Sequence, residues 1–210
     1  TLILTGRSPR SASVEQELAM LSSKGVHVDY QQVDVTNKLA VKQLILFIEK
    51  NYGHLNGVIH SAGIIKDGFI FNKTKDELTE VLEPKLSGVV ALDDATQELA
   101  LDFMLLFSSI SGVFGNIGQA DYATANAFLD EFSHDRNRKV ATGSRQGLTL
   151  SVNWPLWLSG GMQIDEASQK MMETAFGLVP LATDKAFAGL YSGWSLNSGQ
   201  IMILDGDRER

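Results

Sequence analysis

Cysteine is absent from all 210 residues, which excludes a disulfide framework, a thiolate metal site and a thiol nucleophile. No run of about 18 apolar residues occurs, so nothing in the chain reads as a membrane span. The first residues lack the basic stretch followed by an apolar one that marks a secretory leader. These absences fit a cytoplasmic protein. Positive charge is also short. Eighteen Lys and Arg against 25 Asp and Glu leave a net charge of −7, which argues against a general nucleic-acid or anionic-membrane surface. The four histidines, His27, His54, His60 and His134, show no HxxxH-like spacing, so no metal site is expected.

What is present is a 44% hydrophobic composition, enough for a single domain, 1–210, with a sizeable core. "TLILTG" reads as a buried strand closed by glycine, followed by a helix over 11–24 and a strand over about 26–33. Thr36 can cap a helix to about Lys50, with Leu39, Leu44, Ile45 and Ile48 on its apolar side. "LNGVIHSAG" is a short strand ending in small residues. "TKDE" at 74–77 is a capping box opening a helix to about residue 96. "LDFMLLFSS" is a strand covered on both faces, followed by a helix over 119–138 and the strand "LTLSVNW". Helical stretches near 164–175 and 183–191 precede a last strand, "GQIMILDG".

Strands alternating with helices of ten or more residues predict βαβ units and a parallel sheet. About six strands are too few for an eight-unit barrel. The expected fold class is therefore α/β, a Rossmann-like doubly wound parallel sheet with helices on both faces. One part of that fold is lacking. No GxGxxG follows a strand near the start, and "GVFGNIG" at 112–118 has the wrong spacing and context. In the order 3-2-1-4-5-6 the first strand lies mid-sheet. The expectation is that this strand and its phosphate loop lie upstream of Thr1, leaving a central gap with two unpaired strand edges.

Chemistry concentrates in "SSISGVFGNIGQADYATAN", 108–126. Ser109 ends a buried strand, where open α/β sheets bind their ligands. Tyr122 and Asn126 stand at i and i+4 and share one face of the following helix. A phenol titrates near 10, and a nearby ammonium would lower that value. Lys85 is the candidate. It lies on the apolar stripe of Leu78, Val81, Leu82, Leu86, Val89 and Leu92, where a lysine is costly unless paired or used. The bland alternative is that it snorkels to the surface, helped by a bend at Pro84.

"FSSISGVFGNIGQADYATANAFLD", together with "GVIHSAG", "EPKLSG" and "SVNWPLW", closely resembles the ketoreductase domains of modular polyketide synthases, in the short-chain dehydrogenase/reductase superfamily. Most of that superfamily places lysine four residues after the tyrosine. The polyketide and animal fatty-acid ketoreductases exchange the lysine and asparagine positions, which explains Asn126 beside Tyr122 and an amine supplied by Lys85. The resemblance implies NADPH-dependent reduction of a β-ketoacyl thioester carried on the phosphopantetheine arm of an acyl carrier protein. Neighbouring domains of the synthase would be the other partners. Tyr122 would donate a proton to the ketone oxygen, and Ser109 would hydrogen-bond and orient that oxygen. Lys85 would lower the phenol pKa and hold the nicotinamide ribose, and Asn126 would support a proton path.

For the cofactor, Arg7 and Ser8 in "LTGRS" stand where an NAD-preferring site usually has an acid, and a guanidinium there suits a 2′-phosphate. An exposed arginine in a turn is otherwise commonplace. Asp34 and Val35 resemble the family's adenine-contacting pair, although Asp34 is equally read as a charge at a helix start. Ser61, Ala62 and Gly63 resemble the small-residue segment that lets the cofactor approach the backbone, and tight turn packing would explain them too. Members giving a D-hydroxyl carry Leu-Asp-Asp where this chain has Ile65, Lys66 and Asp67. Members giving an L-hydroxyl carry tryptophan where Phe114 stands. The D product is expected. "NWPLWLSGGM" at 153–162 resembles the loop over nicotinamide and substrate. It is expected to lead into a lid over about 160–178, with Trp154 and Trp157 lining a thioester groove or simply packing the core.

Two other readings compete. Synthases also contain non-catalytic, reductase-like modules with structural or interaction roles, and the missing glycine-rich strand favours one. A nucleotide-sugar epimerase or methyltransferase on a similar sheet would need an acid after the first visible strand, and none is there.

Overall fold

The computed structural model describes residues 1–160, 166, 169–170, 173–174 and 177–207. Most of the helix expected near 164–175, and with it most of the expected lid, lies outside those residues.

Among the described residues six parallel strands alternate with helices, as the sequence pattern predicts. β1 (Leu2–Gly6) pairs with β2 (Val28–Gln32) across α1 (Ala12–Ser23). α2 (Lys38–Tyr52) leads to β3 (Gly57–His60), and α3 (Lys75–Thr96) to β4 (Phe103–Ser109). A one-turn helix, α4 (Ser111–Phe114), and the long α5 (Ala120–Ala141) connect β4 to β5 (Leu148–Trp154). α6 (Thr183–Trp194) and β6 (Gln200–Met202) complete the order.

The helix starts follow side-chain chemistry. Thr74 and Glu77 form the expected reciprocal capping box at α3. At α2 the cap is Asn37, whose side-chain oxygen accepts from the Leu39 and Ala40 amides, and not Thr36 as expected. Thr36 is already engaged, its amide and hydroxyl both donating to Asp34 Oδ1 at 2.9 and 2.8 Å. Leu39 is correspondingly exposed, and the buried face of α2 is Val41, Leu44, Ile45 and Ile48.

The sheet is in two pieces. One is β1-β2, the other β3-β4-β5-β6, every pairing parallel. A doubly wound order places one more strand between β1 and β3. Among the described residues both strands end there on an unpaired edge. Packing bridges the two pieces: Ile3 of β1 and Val33 join Leu44, Ile45 and Ile48 of α2, against Ala95 and Leu99 at the end of α3.

The larger piece carries the core. Because strand side chains alternate, β4 sends Met104 and Leu106 to one face with Val89 and Leu129. Leu105 goes to the other face, with Leu150, Val152, Trp154, Leu181, Ala186 and Ile203. Near the C-terminal end of α5 the buried Arg136 donates to Asp93 of α3 at 2.8 Å. Its other N–H groups bond the Gln146 and Gly147 carbonyls and the Thr149 hydroxyl. This clamp ties together α3 and α5, the helices that carry Lys85 at mid-length and Tyr122 in the first turn.

Candidate active site

Lys85, Ser109 and Tyr122 come from α3, the carboxyl end of β4 and the first turn of α5. All three line one cavity of about 610 Å³, together with Ser61, Gly63 and Trp154. The three residues that the sequence singles out are thus brought together. Lys85 is only 4% exposed and does not snorkel; α3 runs through Pro84, which is itself buried. Its Nζ donates to the Phe107 carbonyl at 2.6 Å and lies 5.9 Å from the centre of the Tyr122 ring. Two glycines make the approaches close. A Cβ on Gly63 would sit 3.0 Å from Lys85 Cε, and one on Gly112 would lie 2.9 Å from the Ala127 amide nitrogen of α5.

The electrostatics correct one expectation. Burial pushes the Tyr122 phenol above its ordinary value, reinforced by the Asp67 carboxylate and opposed by Ser109 and Asn126. Lys85 does not pull it down. Burial lowers Lys85 itself to about 8, against the charge of Asp130. The phenol therefore stays protonated at neutral pH.

Asn126 is fully buried one turn behind Tyr122, its Nδ2 donating to the Tyr122 carbonyl at 2.7 Å. Its Oδ1 has no partner among the described residues, and the same holds for His60 Nε2 and Trp154 Nε1. These three unsatisfied atoms belong to residues at or beside the cavity. Trp154 is buried between Phe107 and Trp157, ring centres 5.3 and 5.0 Å away, so its ring is core as much as cavity wall.

The expected cofactor residues fall in two places. Ser61 and Ala62 are exposed at the end of β3, next to Gly63 and Lys85. Arg7 and Ser8 are exposed at the end of β1, on the other piece of sheet. Asp34 caps its own turn through Thr36, which holds its carboxyl below the usual range, with help from the Arg7 guanidinium. Val35 packs near Gly88 of α3. Small exposed residues beside a lysine, and an exposed guanidinium at a strand end, fit the two ends of a dinucleotide.

The segment bearing Asp67 is fastened to the start of α5. Lys73 and Asp121 form a buried ion pair, and Lys73 also bonds the Lys66 carbonyl. The Gly68 amide donates to the Gly118 carbonyl at 2.8 Å, and Gln119 donates to Asp67 at 3.0 Å. Phe114 stands out into solvent. Sequence reasoning missed Lys73 and Asp121. It also missed a buried acid, Asp130, which lies eight residues after Tyr122 and so on its helix face. That spacing was the available signal.

Parallel strands wrapped by helices, with serine, tyrosine and lysine converging at the strands' carboxyl ends, define a Rossmann-like domain of the short-chain dehydrogenase/reductase type. The KR domain model matches residues 1–159, and the chain belongs to that family, the ketoreductase domains of modular polyketide synthases. Over its whole length it is 49% identical to polyketide synthase PksN of Bacillus subtilis (strain 168), of which it spans 4%. Among solved structures, a ketoreductase domain from the bacillaene assembly line superposes with a TM-score of 0.96 at 44% identity, covering 99% of this chain and 50% of that one. An N-terminal ketoreductase from the macrolactin assembly line gives 0.89 at 40%, covering 99% and 40%.

Proposed function

We propose that the chain reduces a β-ketoacyl thioester, borne on the phosphopantetheine arm of an acyl carrier protein, to the β-hydroxyacyl thioester during polyketide chain elongation, with NADPH as reductant. The observation that supports this reading is the convergence of Tyr122, Ser109 and Lys85, from three separate elements, in one cavity. NADPH, when bound, supplies the hydride. The Tyr122 phenol, kept protonated by burial, gives its proton to the ketone oxygen, which becomes the hydroxyl. Ser109 Oγ donates to the same oxygen and stabilises the charge that develops there. At neutral pH Lys85 is mostly ammonium and holds the nicotinamide ribose. Asn126, with its free buried Oδ1, supports return of a proton to the phenolate. Arg7 and Ser8 would meet the 2′-phosphate, which favours NADPH over NADH. Asp34 and Val35 would contact the adenine, and the small residues Ser61, Ala62 and Gly63 would let the cofactor approach the backbone. Asp67, held by Gln119, and Phe114 in place of tryptophan favour the D-hydroxyl.

The test is NADPH oxidation with a β-ketoacyl thioester mimic, assayed in the complete synthase module with and without Tyr122→Phe. The substitution is expected to lower turnover about 10²- to 10⁴-fold with NADPH affinity retained. Chiral analysis of the product is expected to give mainly the D-hydroxyacyl thioester, and mainly L would overturn that assignment. A module that binds NADPH and carrier-borne substrate but turns nothing over would instead make the domain a non-catalytic one.

A further inference from the structure

Behind the cavity lies a buried polar hub to which the reaction assigns no part. Asp130 projects from α5 on the same face as Tyr122 and Asn126, two turns further on. It is 5% exposed. Ser151 Oγ of β5 donates to its Oδ1 at 2.6 Å, and Asn153 Nδ2 of β5 donates to its Oδ2 at 2.8 Å. Both oxygens are hydrogen-bonded, as an ionised carboxylate needs, while burial pushes the Asp130 carboxyl above its ordinary value and the bonds from Ser151, Asn153 and Ser108 oppose that rise. Asn153 is fully buried. The same Nδ2 also reaches the Ser109 carbonyl at 3.0 Å and Ser108 Oγ at 3.1 Å. An amide nitrogen has two protons. One is directed to Asp130, and the other is shared at the end of β4. Ser108 Oγ in turn donates to the Asn126 carbonyl at 3.1 Å, and Gln200 of β6 donates to Asn153 Oδ1 at 2.8 Å. Two side chains of β5 thus bond the acid directly, Ser108 of β4 and Gln200 of β6 join through Asn153, and the strand end that carries Ser109 is bonded to the same amide.

We infer that Asp130 is a positioning residue for the reductase site: through Asn153 it fixes the Ser109 end of β4 against Tyr122, and its charge holds the Lys85 ammonium beside them. This rests on the reductase reading above. Two physical points carry it. A buried carboxylate is expensive unless its partners are complete, and here the partners are the residues that locate Ser109. An unneutralised lysine is equally expensive at 4% exposure, and the negative charge opposing its desolvation comes from Asp130. The charged and titratable groups around the acid are Lys85 on α3, His134 one turn further along α5, and His60 on β3, which neighbours Lys85.

Two substitutions separate the two effects. Asp130→Asn removes the charge and one acceptor, whereas Asn153→Ala keeps the charge and removes the link to Ser109. Competitive acetylation of the complete module across pH, read by mass spectrometry at each lysine, gives the titration midpoint of Lys85 without turnover. Asp130→Asn is expected to lower that midpoint by about one unit, and Asn153→Ala to leave it in place. Both variants are expected to lower kcat roughly tenfold with KM for the thioester little changed, because Ser109 is displaced and not removed. An unchanged Lys85 midpoint in folded Asp130→Asn, or an unchanged kcat in Asn153→Ala, would overturn the inference. A parent module that reduces no β-ketoacyl thioester, with the Lys85 shift still present, overturns the reductase reading and upholds the coupling of Asp130 to Lys85.

Discussion

His60 shows what single buried groups do to this molecule. It ends β3 with Nε2 unpartnered among the described residues, and burial together with the Lys85 ammonium holds its pKa down at about 4. In the unfolded chain it titrates near 6.5. Between those values the unfolded state binds the extra proton, so stability is lost as pH falls through that window. The loss is about 2 kcal/mol by pH 4.5. His60→Asn, which does not titrate, is expected to flatten that part of the pH–stability curve in urea melts at pH 7 and 4.5. Equal slopes would show that the acid loss comes from carboxylates. Lys85 acts at the other end of the scale. Its pKa is depressed, so its cost to folding is relieved as pH rises from about 8 to 10.5. At this scale the sequence was partly legible. A lysine on an apolar stripe announces itself, but its effect on Tyr122 does not. Whether a phenol moves up or down depends on depth of burial against distance to the ammonium, and neither is written in residue spacing.

At the scale of elements, the segment that leads from β3 into α3 is held by a charge pair that spans 48 residues of chain. Lys73 and Asp121 are both almost fully buried. Removing one partner leaves the other charged and unpaired, whereas replacing both is far milder. Lys73→Met is expected to cost about 3–5 kcal/mol, and Lys73→Met with Asp121→Asn to recover most of it. Chemical denaturation of Lys73→Met, Asp121→Asn and the double variant closes the cycle, and additive losses would show that the two side chains do not act as a pair. Nothing local in the sequence could pair these positions, since each reads as an ordinary charge near a helix start. The start of α2 has a different cause. Thr36 and Asn37 are adjacent and both able to cap, and the choice fell to Asn37 because Asp34 had already engaged Thr36. Strong periodic signals, such as the capping box at α3 and the apolar run of β4, carried over directly because no neighbour competes for them.

For the whole molecule, the alternation of strand and helix was enough to give the class of fold. The lack of a glycine-rich turn was enough to anticipate the interruption between β1 and β3. That interruption lies where a dinucleotide's pyrophosphate is bound in such sheets, on a helix N-terminus fed by the central strand. The 210-residue chain in isolation is therefore expected to bind NADPH only weakly. Calorimetric titration checks this, and a micromolar dissociation constant would refute it. The split sheet has one more consequence. Among the described residues the β1–α1–β2 arm shares no strand ladder with the rest, and it is held by the apolar contact of Ile3 and Val33 with α2 and the end of α3, by the hydrogen bond that Tyr52 donates to Asp29 at 3.2 Å and by the ring contact of His27 with Tyr52. The ladder of β4 with β5, by contrast, runs unbroken over seven residue pairs in the middle of the larger sheet. Backbone amides in the arm are expected to open without disturbing those in β4 and β5, so that hydrogen exchange divides the chain into a fast unit and a slow one, and uniform protection across both would refute this. A chain that opens in two such steps has no single melting temperature.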